Sequence, residues 1–206
     1  MTVFCYDTEF LEDGRTIELI SIGIVCEDGR EYYAVNADCD FERVRRRDWL
    51  WANVVPHLPT TKTDWQQDPD AGRHDTILDT SAACVKPKAT IAQEVRDFLL
   101  HNIAPSGSRG GRPTYAREDL PQLWAYFGAY DHVVLAQLFG TMADYPALIP
   151  MWTHDLMQLI EPLDDFRKPA QTGAVHNALA DARWNYELLQ VANAVIAERR
   201  SAQAGL

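Results

Sequence analysis

The feature that most constrains the fold is a set of three strand-like runs that follow one another within residues 3–38. The first run is VFCYDTEF, and two more lie in TIELISIGIVCEDGREYYAVNAD, which starts at residue 16. Runs rich in β-branched and aromatic residues favour strands, and a pair such as Asp28-Gly29 is a strong signal for a tight hairpin turn. We therefore predict three consecutive strands that form an antiparallel meander.

The rest of the chain alternates between helical and strand-like patterns. Apolar residues at helical spacing mark residues 41–59, 89–103, 131–140 and 176–200, and strand-like runs mark 122–130 and the start of 151–160. A meander followed by alternating helices and strands predicts an α/β fold, in which a mixed sheet is flanked by helices.

We interpret residues 1–206 as one domain, because domains usually span about 100–200 residues. The periodicity is lost at about 60–89 and 104–121, which we predict to be long loops. No run reaches the roughly 20 apolar residues that cross a membrane, and no secretory signal is visible at the N-terminus. The four cysteines match no zinc-binding spacing. Reduced cysteines favour a cytoplasmic location, so we expect one.

The charge balance restricts how the chain can bind nucleic acid. Nineteen Lys and Arg residues against thirty Asp and Glu residues give a net charge of −11 at pH 7. Proteins that grip duplex nucleic acid through many phosphates are usually basic. A polyanionic substrate would therefore need local help, either from a metal ion or from a small basic patch such as RVRRR at 43–47.

Two carboxylates follow the first apolar run, and their repulsion has to be compensated. Asp7 and Glu9 are two residues apart, so they share one face of the strand with Cys5. Like charges at the edge of a core are costly unless a cation lies close to them. A turn or a solvated strand end is the alternative explanation for such a pair.

Three further candidates lie at the junctions of predicted elements. Asp181 falls on the apolar stripe of the last helix, His176 precedes that helix, and Asp131 stands where a strand meets a helix. Taken singly, Asp131 is explained as a helix N-cap, Asp181 as a favourable charge at a helix N-terminus, and His176 as a loop residue. Taken together, the four acids suit hard divalent cations, two of which can clamp a phosphoryl transfer.

Three motifs in this order resemble those of the DEDDh 3′–5′ exonucleases. They are DTE on the first strand, YD at the strand-to-helix junction and HNALAD at the start of the last helix. The resemblance covers residues 6 to 190 and is closest to the ribonuclease T-like bacterial polyadenylate-specific 3′-exoribonucleases. It implies a ribonuclease H-like fold with a mixed five-stranded sheet, and the release of nucleoside 5′-monophosphates from RNA 3′ ends or 3′ overhangs.

The resemblance also implies a role for each candidate residue. Asp7 would bridge two Mg²⁺ ions, for which Mn²⁺ would be able to substitute, and Glu9 and Asp181 would complete the tighter site. Asp131 would hold the second ion. His176 would be the general base that takes a proton from the attacking water, a task that suits an imidazole because its ordinary pKa lies near neutrality.

For substrate contacts we expect Phe10 to flank the terminal nucleoside, Thr8 to offer backbone groups to its hydroxyls, and Trp51 to border the cleft. Packing of Trp51 into the core or into a dimer contact is the alternative. The resemblance further implies a homodimer. Two other functions remain open at this point: a DNA 3′–5′ exonuclease of the proofreading or repair type, and a non-catalytic nucleic-acid-binding domain.

Overall fold

A computed structural model, which describes residues 1–65, 67–68 and 70–204, has a mixed sheet at its centre. Its strands are β1 (Thr2–Glu12), β2 (Ile17–Cys26), β3 (Glu31–Asn36), β4 (Val85–Lys86), β7 (Pro121–Ala125) and β8 (His154–Asp155). A separate hairpin is formed by β5 (Gly107–Arg109) and β6 (Arg112–Thr114). The sheet order is β4-β3-β2-β1-β7-β8. The pairs β1–β2 and β2–β3 are antiparallel, which confirms the predicted meander.

Two predictions about the sheet and its loops need correction. The sheet has six strands among the described residues rather than five, because Val85–Lys86 pairs with the end of β3. Two residues are too few to give a periodic signal. The segment 104–121 was predicted as a loop, yet it contains the β5–β6 hairpin. Residues 66 and 69 of the predicted loop 60–89, and residues 205–206 of the predicted domain, lie outside the described residues.

The helices are α1 (Phe41–Arg46), α2 (Asp48–Asn53), α3 (Lys88–Leu99), α4 (Ala129–Leu138), α5 (Leu156–Ile160) and α6 (Ala178–Ala204), with 3₁₀ turns at Val55–His57 and Arg117–Asp119. The predicted helix 41–59 is therefore divided. Its break lies at Arg47, whose backbone is extended, with φ −85° and ψ 112°, and separates α1 from α2.

The predicted strand 122–130 is also shorter than expected. β7 ends at Ala125, and Phe127 turns the chain with a left-handed φ of 55° before α4 begins at Ala129. Gly128 occupies the N-cap position. Asp131 is consequently the third residue of α4, so the interpretation of Asp131 as the N-cap is wrong.

Helices pack on both faces of the sheet and approach β1 from opposite sides. On one face, Phe4 and Tyr6 of β1 belong to a buried cluster with residues of α3 and α4. On the other face, Cys5 packs with residues of α5 and α6. This alternation follows from the period of two in a strand. The two helices that carry Asp131 and Asp181 therefore meet the same strand from different sides.

Candidate active site

β1 extends beyond its parallel neighbour, which leaves one edge of its C-terminal half open. β7 pairs with residues 2–5 of β1, whereas β2 pairs with residues 4–12. Asp7 is half-buried and Glu9 is 7% exposed in this open part of the strand. An unpaired strand edge presents backbone N–H groups that need other partners. The partner that the structure supplies is a carboxylate.

Asp131 is held against this open edge by Thr8. Its Oδ1 accepts a hydrogen bond from the Thr8 backbone N–H at 2.8 Å and another from Thr8 Oγ1 at 2.7 Å. Both residues are buried, so these bonds fix the first turn of α4 to β1. The Thr8 N–H is thus engaged by Asp131 and is not free to contact substrate hydroxyls, which corrects that part of the prediction.

A glycine in the neighbouring strand brings the start of α6 close to the acids of β1. Gly23 lies opposite Asp7 in the β1–β2 register. A Cβ atom at this position would lie 2.3 Å from the Ala178 carbonyl oxygen, so only glycine lets the helix rest directly on the strand. About two turns further along α6, Asn185 Nδ2 donates to the Tyr6 carbonyl at 3.0 Å. The beginning of α6 is therefore anchored beside β1.

This anchoring brings His176 and Asp181 to Glu9. One side-chain ligand atom from each of these three residues lies within 4.8 Å of the other two. His176 has a left-handed φ of 65°, and its ring packs edge-to-face on the Trp49 ring with centroids 4.7 Å apart. The five predicted acid and histidine residues all line one pocket of about 480 Å³, which we call the acid pocket. They are Asp7, Glu9, Asp131, His176 and Asp181.

The pKa values of the four carboxyls are raised because burial opposes their ionisation, and repulsion from the other acids adds to this for Asp7 and Glu9. Burial, followed by the charges of the other three acids, raises the pKa of Asp7 well above its ordinary value. Burial and the neighbouring acids raise the pKa of Glu9 to about 8. Burial raises the pKa of Asp131 to about 6, against the hydrogen bonds from Thr8 that favour its charged form. Burial also raises the pKa of Asp181.

Several residues of the pocket carried no signal in the sequence. Gln171 donates a hydrogen bond to Asp181 Oδ1, and Lys168 Nζ donates to the Tyr126 hydroxyl at 2.8 Å. Both come from the irregular segment before α6, where no periodic pattern exists. Lys168 supplies the one Lys or Arg side chain among the described residues that line the pocket, so the acids lack a matching number of protein cations. Gly23 could have been noticed, since an isolated glycine inside a strand indicates close backbone approach.

Of the predicted aromatic contacts, Phe10 lines the pocket and Trp51 does not. Phe10 stacks on Tyr130 with ring centroids 5.8 Å apart. Trp51 is 2% exposed and packs against Trp65 with centroids 4.9 Å apart, so a nucleoside has no access to it. The prediction for Trp51 is corrected in favour of core packing. The exposed tryptophan of α2 is Trp49, which contacts His176.

A comparison with known protein families decides which class of protein carries this pocket. The family model of the 3′-5′ exoribonuclease Rv2179c-like domain matches residues 2–193. The chain belongs to this family. It is therefore an enzyme, a 3′-5′ exoribonuclease and so a phosphodiester hydrolase.

Two relatives of this Rv2179c-like chain come from Mycobacterium tuberculosis. They are the 3′-5′ exoribonuclease Rv2179c of strain ATCC 25618 / H37Rv and the 3′-5′ exoribonuclease MT2234.1 of strain CDC 1551 / Oshkosh. Each is 39% identical over 181 residues, which cover 87% of this chain and 86% of the relative. The region matched by the family model contains the five predicted acid and histidine residues of the pocket. These findings favour an enzyme over the non-catalytic binding domain.

Proposed function

We propose that the chain removes nucleotides one at a time from the 3′ end of RNA, with the help of divalent metal ions, and releases nucleoside 5′-monophosphates. The observation that carries this proposal is the convergence of Asp7, Glu9, Asp131 and Asp181 in one pocket. The mixed sheet with helices on both faces supports a ribonuclease H-like fold, as the DEDDh resemblance implies. RNA as the substrate is supported by the names of the two relatives.

The chemistry of the donor set fits Mg²⁺ or Mn²⁺. Four carboxylates offer hard oxygen ligands. Burial raises the pKa of each of them, and a bound cation would favour their ionised form. Asp7, Glu9, Asp131 and Asp181 would hold such ions, and the ligand atoms of Glu9 and Asp181 already lie within 4.8 Å of each other. When bound, such ions stabilise the negative charge that develops on a phosphoryl group and lower the pKa of water.

His176 acts in this proposal as the general base. It takes a proton from a water molecule, whose oxygen forms a bond to the phosphorus of the last phosphodiester as the bond from phosphorus to the upstream O3′ breaks. The phosphate stays on the released nucleoside, and the shortened RNA keeps a 3′-hydroxyl. Trp49 restricts the His176 ring through their edge-to-face contact. Phe10, stacked on Tyr130, offers an aromatic surface beside the terminal nucleoside.

The test is a digestion series on oligomers labelled at the 5′ end. Single strands, 3′-overhang duplexes and blunt duplexes are compared in RNA and DNA, with Mg²⁺, with Mn²⁺ and with a chelator. We expect a ladder of RNA products shortened from the 3′ end, nucleoside 5′-monophosphates on chromatography, and no products with the chelator. Equal or faster digestion of DNA would favour the DNA exonuclease alternative, and full activity in chelator would refute metal dependence.

A pair of variants tests the site itself. Asp7→Asn should abolish turnover because it removes one of the four carboxylates that would hold the metal ions. Asp97→Asn is the matched control, since Asp97 is an exposed aspartate on α3 outside the pocket. Loss of activity in both variants, or in neither, would contradict the assignment. The homodimer stays part of the proposal, and light scattering on the purified chain tests it.

A further inference from the structure

A second groove adjoins the acid pocket, and none of the roles above uses it. It has a volume of about 320 Å³ and is lined by Phe10, Glu12, Arg47, Trp49 and Leu50. We call it the Arg47 groove. Phe10 lines both the groove and the acid pocket, so the two cavities are neighbours that share this residue. Trp49 forms a second connection, because its ring touches that of His176.

The groove contains Arg47, the arginine of the basic run 43–47 whose side chain has no partner among the described residues. Arg43 pairs with Asp13 at 2.8 Å, Arg45 donates to the Thr76 carbonyl at 3.0 Å, and Arg46 pairs with Glu42. Within the described part of the chain, the guanidinium of Arg47 has no hydrogen bond or ion pair, and the residue is exposed. A free guanidinium offers a planar fork of donors that matches a phosphate group.

Trp49 gives the groove an aromatic wall. It is 56% exposed although it is a tryptophan on a helix whose other tryptophan, Trp51, is buried. Single-stranded nucleic acids bind through bases stacked on such rings and through cations that contact the backbone phosphates. An exposed indole and a free guanidinium two residues apart, beside an acid pocket, supply both elements.

We propose that the Arg47 groove binds the RNA nucleotide on the 5′ side of the terminal one, with its base against Trp49 and a backbone phosphate at Arg47. This inference rests on the proposed function in one respect, which is that the terminal nucleotide occupies the acid pocket. At about 480 Å³ that pocket is within the range of about 300–1,000 Å³ typical of small-ligand sites, so it has room for one nucleotide. The next nucleotide must then leave the acid pocket either past Phe10 or past the opposite wall. Arg47, the cation without a partner within the described ranges, lies on the Phe10 side.

Glu12 opposes the phosphate within the same groove. Its Oε2 accepts a hydrogen bond from the Gly14 N–H at 2.9 Å, so its charge is fixed at the start of the β1–β2 turn. The proposal therefore predicts effects of opposite sign for two charge-removing variants. Arg47→Gln should weaken RNA binding, and Glu12→Gln, which keeps an oxygen acceptor for Gly14, should strengthen it.

The experiment compares an RNA oligomer with a substrate that lacks every upstream nucleotide. The p-nitrophenyl ester of uridine 5′-monophosphate presents the same phosphorus to the acid pocket, but its leaving group cannot fill a nucleotide site. The preference for the oligomer, expressed as the ratio of the two kcat/KM values, should fall about 10-fold in Arg47→Gln, because one charged phosphate contact is lost. Arg46→Gln is the matched control, since it removes the same charge from the neighbouring residue outside the groove.

Salt dependence gives a second readout that a purely structural defect would not change. Each phosphate neutralised on a single strand contributes about 0.7 to the slope of log affinity against log salt concentration. We expect the slope of log KM for the oligomer against log salt concentration to be smaller by about 0.7 in Arg47→Gln than in the wild type. In Arg46→Gln the slope should keep its wild-type value. An unchanged preference and slope in Arg47→Gln would overturn the proposal. If the wild-type protein hydrolysed neither substrate, that result would instead count against the proposed function.

Discussion

The burial of Glu9 among other acids makes a quantitative prediction about folding. The folded chain raises the pKa of this carboxyl from 4.5 to about 8, chiefly through burial and then through Asp181 and Asp131. A carboxyl with a higher pKa in the folded state binds protons more tightly when folded. The metal-free protein is therefore most stable below the unfolded pKa, and it loses stability as the pH rises toward the folded pKa.

The size of this loss follows from the two pKa values. Since one pKa unit corresponds to about 1.4 kcal/mol, full ionisation of Glu9 lowers the free energy of unfolding by about 5 kcal/mol. Most of this loss, about 3.5 kcal/mol, accumulates between about pH 5 and about pH 8. Natural domains have a free energy of unfolding of only about 5–15 kcal/mol, so the effect is large enough to measure. Glu9→Gln removes the titration while keeping the shape of the side chain.

Urea unfolding followed by tryptophan fluorescence measures this effect in the presence of a chelator. The stability difference between Glu9→Gln and the wild type should grow by about 3.5 kcal/mol from about pH 5 to about pH 8 in favour of the variant. Glu187→Gln, at an exposed glutamate of α6, should show no such growth. Added Mn²⁺ should stabilise the wild type more at the higher pH. A difference that stays constant with pH would refute the argument from charge repulsion.

Three further variants test the residues that hold the pocket together. Gly23→Ala places a Cβ where the Ala178 carbonyl lies, so we expect the start of α6 to shift; kcat should fall while circular dichroism stays that of a folded protein, and a wild-type kcat would contradict this. Thr8→Val removes the Oγ1 hydrogen bond that favours ionised Asp131. The acid limb of the plot of kcat/KM against pH should therefore move up by about one pH unit. An unmoved limb would exclude this role for Thr8. His176→Ala should reduce kcat at least about 100-fold, as expected for a general base, with Mn²⁺ binding by calorimetry preserved. Loss of Mn²⁺ binding in that variant would make His176 a metal ligand instead.

The meander and the helices were predictable because their signals are local. β-branched runs around Asp28-Gly29 produce the first three strands, and the apolar spacing of α3 and α6 predicts both helices to within a few residues. Asp7 and Glu9 were found for the same reason, since the period of two alone places them on one face. The order of the three motifs predicted that the four acids act together, and the fold brings all four into one pocket.

The errors arose where tertiary contacts override local pattern. The alternative explanation of Asp131 as an N-cap rests on the frequency of aspartate at that position, yet Asp131 is the third residue of α4 and its Oδ1 accepts hydrogen bonds from Thr8, 123 positions earlier in the chain. Trp51 is predicted at the cleft because it follows the basic run on the predicted helix 41–59. The extended backbone of Arg47 divides that helix, and Trp51 packs inward against Trp65. Neither contact leaves a trace in the neighbouring sequence.

An acidic chain can act on RNA only if the charges that matter are local. At physiological salt the Debye length is about 8 Å, so exposed acids farther than this from the substrate repel it weakly despite the net charge of −11. Within that distance the pocket contains four carboxyls that ions can neutralise, and Lys168 and Arg47 lie at its rim and in the adjoining groove. Raising the salt concentration should therefore weaken RNA binding chiefly through these few cations. Replacing an exposed acid far from the pocket by a neutral residue should improve RNA binding far less than Glu12→Gln inside the groove.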